Sequence, residues 1–364
     1  MDWVYIILVF LASAAIAALV MPQIIHISYT KKLFDKPDHR KVHIGTVPRL
    51  GGVAFLPAII MSMSLLTGVY LTRNGNAGVR YLLDPGLALG ICALTLIYFE
   101  GVADDLTDIG YRAKFCCQFV CAAMMVGSGL WLKDLYGLFG IHELPAVVGM
   151  PVSVLFIVYI INATNLIDGI DGLASGLSMM AFLFFGILYF LWGAFIYAAL
   201  AFSVLGALAV FFVYNVFGSI ERRRKIFMGD CGSQCIGLLL ALLTIRLTLC
   251  PQHDAGARSD AFVMAASALL VPCFDLIRVM FGRIRRGTNP FLPDKTHIHH
   301  KLMALGMGPH STLCAILLVA LFFLVLNFGL LHVVDANILL AIDIVLWTAG
   351  HVWLSRRIRK KSAH

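Results

Sequence analysis

Apolar residues run along this chain in long unbroken stretches, not in the short alternations of a soluble protein. Eleven stretches stand out, near residues 3–28, 51–72, 85–103, 115–133, 151–167, 173–191, 194–216, 231–250, 261–281, 312–334 and 336–354. A helix needs about 20 apolar residues to cross the hydrocarbon core, and there it must satisfy its own backbone polar groups. The pattern predicts an all-α polytopic membrane protein of about eleven transmembrane helices, a single integral membrane domain over 1–364. Its polar connections fall near 29–50, 104–114, 168–172, 217–230 and 282–311. Two connections between runs are very short, Asp168 to Gly172 and, on the opposite side, Trp192-Gly193. The first run follows Met1-Asp2, not a basic patch, and is long for a signal peptide, so it reads as a retained helix. No internal repeat, low-complexity segment or appended soluble domain is visible.

Composition agrees. Hydrophobic residues make up 60% of 364 and charged residues 13%, where a soluble domain carries roughly 25% charged. Mean hydropathy is +0.89. The formal net charge of +8 does not indicate nucleic acid, because the cations lie in short loops between apolar runs. With eleven spans the termini face opposite sides. Placing the C-terminus inside puts 22 of the 28 lysines and arginines in inside segments and four outside (Arg73, Arg80, Lys133 and Arg258). Positive charge stays on the cytoplasmic side, so the expected topology has the N-terminus outside and the C-terminus in the cytoplasm. Cys92, Cys116, Cys117, Cys121, Cys235 and Cys273 sit in apolar runs without metal-ligand spacing and read as small buried hydrophobes.

Five polar constellations fall on the expected cytoplasmic face. The first is Asp104-Asp105, with Asp108 behind it. The second is Asn162-Ala-Thr-Asn165-Leu-Ile-Asp168-Gly-Ile-Asp171-Gly172, whose Asn162, Asn165 and Asp168 have the spacing of one helix face. The third is Met228-Gly229-Asp230-Cys231-Gly232-Ser233. The fourth runs from Arg283 to His300 and holds Arg285, Arg286, Asp294, Lys295, His297, His299 and His300. The fifth runs from Asp35 through Arg40, Lys41 and His43 to Pro48-Arg49-Leu50-Gly51-Gly52.

Singly, each has an ordinary reading. An Asp pair can be a solvated helix end, DGIDG a tight turn, Asp230 an N-cap and a basic loop a topological signal. His-x-His-His can be a metal site, an anion site or neither. Asp275 and Arg278, one turn apart within the ninth run, read as an internal ion pair. Jointly the pattern is more specific. Carboxylates near apolar spans are costly and mark function, and here they come from three separated places beside histidines and arginines. Phosphoryl transfer needs that mixture: oxygen ligands suited to Mg²⁺ and cations facing a leaving diphosphate.

These stretches resemble the polyprenyl-phosphate N-acetylhexosamine-1-phosphate transferases. DKPDHRKVH with PRLGG, the Asp104-Asp105 pair, NATNLIDGIDGL, IFMGDCGS and GRIRRGTNPFLPDKTHIHH occur in that family's order and, with their spans, cover nearly the whole chain. The resemblance implies roles residue by residue. Asp230 would bind Mg²⁺, or Mn²⁺, with Asn165 beside the metal. Asp104 and Asp105 would engage or deprotonate the lipid phosphate. Asp168 and Asp171 would line the nucleotide-sugar pocket, and His297, His299 and His300 would bind the sugar nucleotide. Arg283, Arg285 and Arg286 would contact diphosphate or anchor their loop, and Lys41 joins the substrate-binding set. Two departures are visible: Glu100, where an apolar residue is expected before the Asp pair, and Cys231 beside the metal aspartate.

The expected reaction moves N-acetylhexosamine-1-phosphate, with GlcNAc favoured, from a UDP-sugar to undecaprenyl phosphate and releases UMP. The expected partners are those two substrates, the bilayer and a second copy of the chain, without nucleic acid. The resemblance also implies inhibition by tunicamycin and a first step in surface-polysaccharide synthesis. The alternative from another class is a transporter or flippase, which would carry ionisable groups nearer the bilayer midplane.

Overall fold

The computed structural model describes residues 3–34, 47–74, 84–249, 261–288 and 296–362. Lys41, with the rest of 35–46, and Asp294 and Lys295 lie outside the described residues. Among the described residues helix is the only regular structure, besides two isolated bridges, Phe34 with Pro48 and Asp134 with Glu143. The helices are α1 (Trp3–Thr30), α2 (Phe55–Asn74), α3 (Pro85–Thr107), α4 (Tyr111–Gly127), α5 (Ala146–Ile167), α6 (Leu173–Leu191) and α7 (Phe195–Val216). They continue with α8 (Gly229–Leu249), α9 (Ala261–Ala268), α10 (Leu270–Arg285), α11 (Ile298–Ala304), α12 (Pro309–Leu330) and α13 (Ala336–Ser362).

Nine described segments are long and apolar enough to cross a membrane, or ten if α9 and α10 form one broken span. The expected eleven differ from this in two places. The ninth run bends by 73° at Leu269. The fourth, expected over 115–133, stops as a helix at Gly127 after 17 residues, about 25 Å at 1.5 Å per residue and short of a full crossing. Residues 128–145 then run irregularly, with Tyr136, Gly137, Phe139 and Gly140 at positive φ. The final helix runs on to Ser362 instead of stopping near 354, so the basic residues from Arg356 to Lys361 continue it.

Helix α8 is the axis of the bundle. Its apolar window is 89% buried, whereas those of α1, α12 and α13 are 33%, 22% and 28% buried. Outer helices facing lipid need no polar face, which is why they show no amphipathic period. Helix α3 lies antiparallel to α8 because contacts pin it at both ends. At its start, Asp84 caps α3 by accepting from Gly86 N at 2.8 Å, takes the Tyr197 hydroxyl of α7 and pairs with Arg246 of α8 at 3.5 Å. At its end, Asp105 meets the first residues of α8. The cysteine expectation holds for Cys121 and Cys235, whereas Cys92 and Cys116 are exposed on their helices.

Candidate active site

The segment Ile226 to Met228 delivers the chain into α8 through Gly229, at φ +75. A Cβ at Gly229 would lie 2.1 Å from the Arg49 carbonyl oxygen and 2.4 Å from Asp105 Oδ2, so the position admits only glycine. The first N–H groups of a helix lack intrahelical acceptors. Asp105 supplies them from α3: its Oδ1 accepts from Asp230 N at 2.8 Å and its Oδ2 from Cys231 N at 3.1 Å. A carboxylate there also faces the positive end of the helix dipole. The PRLGG segment holds the same junction by backbone bonds. Phe227 N donates to Pro48 O at 2.8 Å, and Gly51 and Gly52 donate to Phe227 O and Met228 O at 2.9 and 2.8 Å. A Cβ on Gly52 would meet Gly232 N at 2.1 Å. These glycines bring backbone against backbone.

Asp104 and Asp105 lie inside the last turn of α3, not in a loop, and differ in surroundings. Asp104 is 3% exposed. Its Oδ1 accepts from Ile109 N at 2.7 Å, and its Oδ2 lies 2.5 Å from Lys114 Nζ. The same ammonium is 3.4 Å from Asp230 Oδ2, and the Asp104 and Asp230 carboxyls are within hydrogen-bonding reach of each other. Asn165, from α5, donates to Asp230 Oδ1 at 2.6 Å and to Ser233 Oγ at 2.8 Å. Two carboxylates, one ammonium and one amide from α3, α4, α5 and α8 thus converge at one end of the bundle. Asn162, one turn before Asn165 on α5, donates to Gln118 Oε1 of α4 at 2.7 Å and not to the carboxylates.

The DGIDG turn stands beside this cluster. Asp168 ends α5 half-buried; burial, then the nearby Asp171 and Asp230 charges, pushes its carboxyl up to about 7. Asp171 is paired with Lys225 at 2.6 Å. Gly172 N donates to Asn215 Oδ1 at 2.7 Å, which fixes the turn to α7. The histidines reach the turn from the other side. His299 packs on Gly169, where a Cβ would come within 2.2 Å of Nε2. Its Nδ1 is buried without a hydrogen-bond partner, and burial followed by the neighbouring histidines lowers it to about 3. His297 and His299 stack with centroids 5.8 Å apart, and His300 lies 4.2 Å from His299. Of the basic stretch, Arg283 is 2% exposed, whereas Arg285 and Arg286 lie on the surface.

Sequence reasoning missed two residues. Lys114 read as a topological charge; its position ten residues after Asp104, beyond a tight turn capped by left-handed Asp108, was the only signal. Asp275 does pair with Arg278, at 2.8 Å. It also accepts from Ile298 N at 3.1 Å and binds His297 Nδ1 at 2.8 Å, so this fully buried carboxylate holds the His segment. Glu100 joins a buried polar chain: Gln234 donates to Glu100 Oε2 at 3.0 Å, and Gln118 donates to Gln234 Oε1 at 2.9 Å.

Among the described residues no group of three or more His, Cys, Asp or Glu side chains is arranged to hold a metal. Magnesium commonly takes one or two protein carboxylates and completes its shell with substrate phosphates and water. Asp230 and Asp104 fit that donor set. The ammonium between them marks a place where the protein stabilises positive charge.

A sequence profile described as glycosyl transferase family 4 matches residues 87–248, the stretch from α3 through α8 that carries this cluster. The undecaprenyl-phosphate alpha-N-acetylglucosaminyl 1-phosphate transferase of Yersinia pestis is 32% identical over 290 residues, covering 79% of this chain and 74% of that one. The protein of that name in Escherichia coli strain K12 is 31% identical over the same shares. The decaprenyl-phosphate N-acetylglucosaminephosphotransferase of Mycolicibacterium smegmatis is 31% identical over 310 residues, 80% of this chain and 73% of that one. Similarity of this extent runs far beyond the motifs into the spans that position them, and by it the chain belongs to glycosyl transferase family 4.

Proposed function

We propose that the chain is a multi-pass membrane enzyme that transfers a sugar-1-phosphate from a nucleotide sugar to a polyprenyl phosphate. The donor is UDP-N-acetylglucosamine, the acceptor is undecaprenyl phosphate, and the reaction faces the cytoplasm at the bacterial inner membrane, with the N-terminus outside and the C-terminus inside. The named relatives act on undecaprenyl and decaprenyl phosphate, and the charge asymmetry supports the sidedness. The protein assembles as a homodimer, is inhibited by tunicamycin and starts a surface polysaccharide. The transporter alternative finds no support in these relatives.

One observation carries the chemistry: Asp104, Lys114, Asp230 and Asn165 meet where four helix ends converge. An acceptor phosphate oxygen attacks the β-phosphorus, which bears the sugar. The new P–O bond forms as the bond to the bridging oxygen breaks, and its electron pair leaves on UMP. Asp230, with Asn165 beside it and Asp104 opposite, would hold Mg²⁺, which when bound would neutralise charge on the diphosphate. Asp104 also orients the acceptor; a phosphate monoester's second pKa lies near 6, so proton removal contributes little at neutral pH. Lys114 moves from the carboxylates to the phosphate charge. Asp168 and Asp171 with Lys225 line the donor side, and His297, His299 and His300 close it with the arginines. Asp105 holds the α8 N-terminus and so positions Asp230.

The test is UMP release from UDP-GlcNAc by the purified protein. Release that requires both Mg²⁺ and added polyprenyl phosphate supports the reading. Acceptor-independent release, or none from any UDP-N-acetylhexosamine, defeats it. Radiolabelled phosphosugar on the protein without acceptor would replace the single displacement by a covalent route.

A further inference from the structure

A second polar cavity, of about 480 Å³, shares no residue with the carboxylate cluster. Pro22, Ile25, His26, Tyr29 and Thr30 line one side and recur at the three- and four-residue spacing of one α1 face. Tyr214 closes it from the last turn of α7, and Arg223 and Arg224 reach it from the α7–α8 loop. The Tyr29 hydroxyl is buried without a hydrogen-bond partner. Arg223 sits in the left-handed region, at φ 51, which is unfavourable for a residue with a Cβ. Its guanidinium lies 5.4 Å from the centre of the Tyr29 ring. Neither Arg223 nor Arg224 has a carboxylate partner among the described residues, the loop's Glu221 being engaged by Ser219.

We infer that this cavity binds the phosphate of an anionic glycerophospholipid from the surrounding leaflet. Two unpaired guanidinia, a phenol and an imidazole suit a phosphodiester, which accepts hydrogen bonds and carries charge. The depth is that of the head groups, because the cavity lies on the terminal turns of two spanning helices. The same turns expose Ile27, Val213 and Phe217, at 52, 55 and 72%, an apolar wall for the acyl chains. Basic residues just inside a span attract such lipids. The site also touches function: the chain leads from Arg224 to Lys225, which pairs with Asp171, and on to Asp230. A lipid phosphate on Arg223 and Arg224 steadies the loop that starts α8.

Thermal unfolding of the full chain in neutral detergent tests this without relying on catalysis. Phosphatidylglycerol is expected to raise the transition temperature, and phosphatidylcholine is not. R223Q/R224Q should need roughly thirtyfold more phosphatidylglycerol for the same shift, from ~1 kcal/mol per arginine near the surface. Y29F should weaken the shift by less, and R356Q/R357Q, which removes equal charge from the tail, should leave it intact. An unchanged shift in R223Q/R224Q overturns the site, as does an equal loss in the tail variant. Glycerol phosphate matching phosphatidylglycerol would make it a soluble-phosphate site. A raised KM for polyprenyl phosphate in R223Q/R224Q with the lipid shift intact would assign the cavity to the acceptor.

Discussion

Asp104 and Asp105 are neighbours, yet the geometry gives them different work, and substitution of Asp105 separates the two. Alanine at 105 removes both acceptors of the Asp230 and Cys231 N–H groups. An orphaned buried donor costs about 1–3 kcal/mol, and loss of a helix cap typically costs about 1 kcal/mol. Asp230 is half-buried and Cys231 fully buried, so water can relieve one of the two donors at most, and D105A is expected to cost about 2–4 kcal/mol of stability. It also frees Asp230 to shift; a barrier higher by 1.4 kcal/mol is a tenfold loss in rate, so the expected loss in kcat is tenfold to several hundredfold. Asparagine keeps one acceptor oxygen but turns an NH₂ toward the other donor, so D105N should recover roughly half of both losses. The assay pairs thermal unfolding in detergent with UMP release at saturating substrates. The two quantities should fall together across D105N and D105A. Wild-type stability with abolished turnover in D105A would make Asp105 a reacting group and refute the capping account.

Lys114→Met leaves Asp104 and Asp230 without their shared cation. The substrate-free variant should be stabilised by Mg²⁺ at a lower concentration than the wild type, while turning over at least tenfold more slowly; an unchanged Mg²⁺ titration would exclude the ammonium from that position. Asp168, raised to about 7 by burial, is neutral below that pH and is charged at a cost above it. Its ionisation therefore removes stability as pH rises from about 4 through 7, by at most a few kcal/mol. Asp168→Asn should melt higher than wild type at pH 8 and converge with it near pH 4, roughly the unfolded carboxyl's own range; a constant difference would count against the assignment. His299, lowered to about 3 by burial, is neutral in the fold but protonated in the unfolded chain below its ordinary range. It adds a slope of opposite sign over the acid side, which the wild type and Asp168→Asn share and which cancels in their difference. Gly169→Ala drives a methyl into His299, and H299A should restore the melting temperature of G169A but not its activity. Failure of that rescue would place the clash elsewhere. Asp275→Asn should raise KM for the donor more than it lowers kcat, because it loosens His297; the reverse split would deny Asp275 a positioning role.

Much of this architecture was legible in the chain because a membrane helix answers to one local rule, and most of the stretches read as spans are helices of the bundle. The count differed where tertiary contacts intervene. In the apolar run 261–281 Pro272 is the local signal of the bend at Leu269, because its ring cannot sit against the Ala268 carbonyl in a continuous helix. The bend's consequence, that Asp275 meets His297 and Ile298, is tertiary. The run at 115–133 includes apolar residues past Gly127 that leave the helix for an irregular segment of left-handed residues. Apolarity alone does not distinguish a residue in lipid from one packed under a loop.

The site was legible as a set of residues but not as a division of labour. Asp104 and Asp105 are equivalent in sequence and differ only because α8 begins under one of them. PRLGG is uninformative alone, and its glycines make sense only once Gly52 lies on Gly232. Glu100 looked like an intrusion into an apolar span. In the bundle its carboxylate accepts from Gln234, which accepts from Gln118, which accepts from Asn162. That chain ties α3, α8, α4 and α5 together just behind the cluster those same helices carry at their ends. In a low-dielectric interior each of these groups is costly unless its partner is present, so the four helices are held in one relative register. A phosphate-binding cluster assembled from helix ends gains its geometry from that register, and the polar residues that look most misplaced in the spans are the ones that fix it.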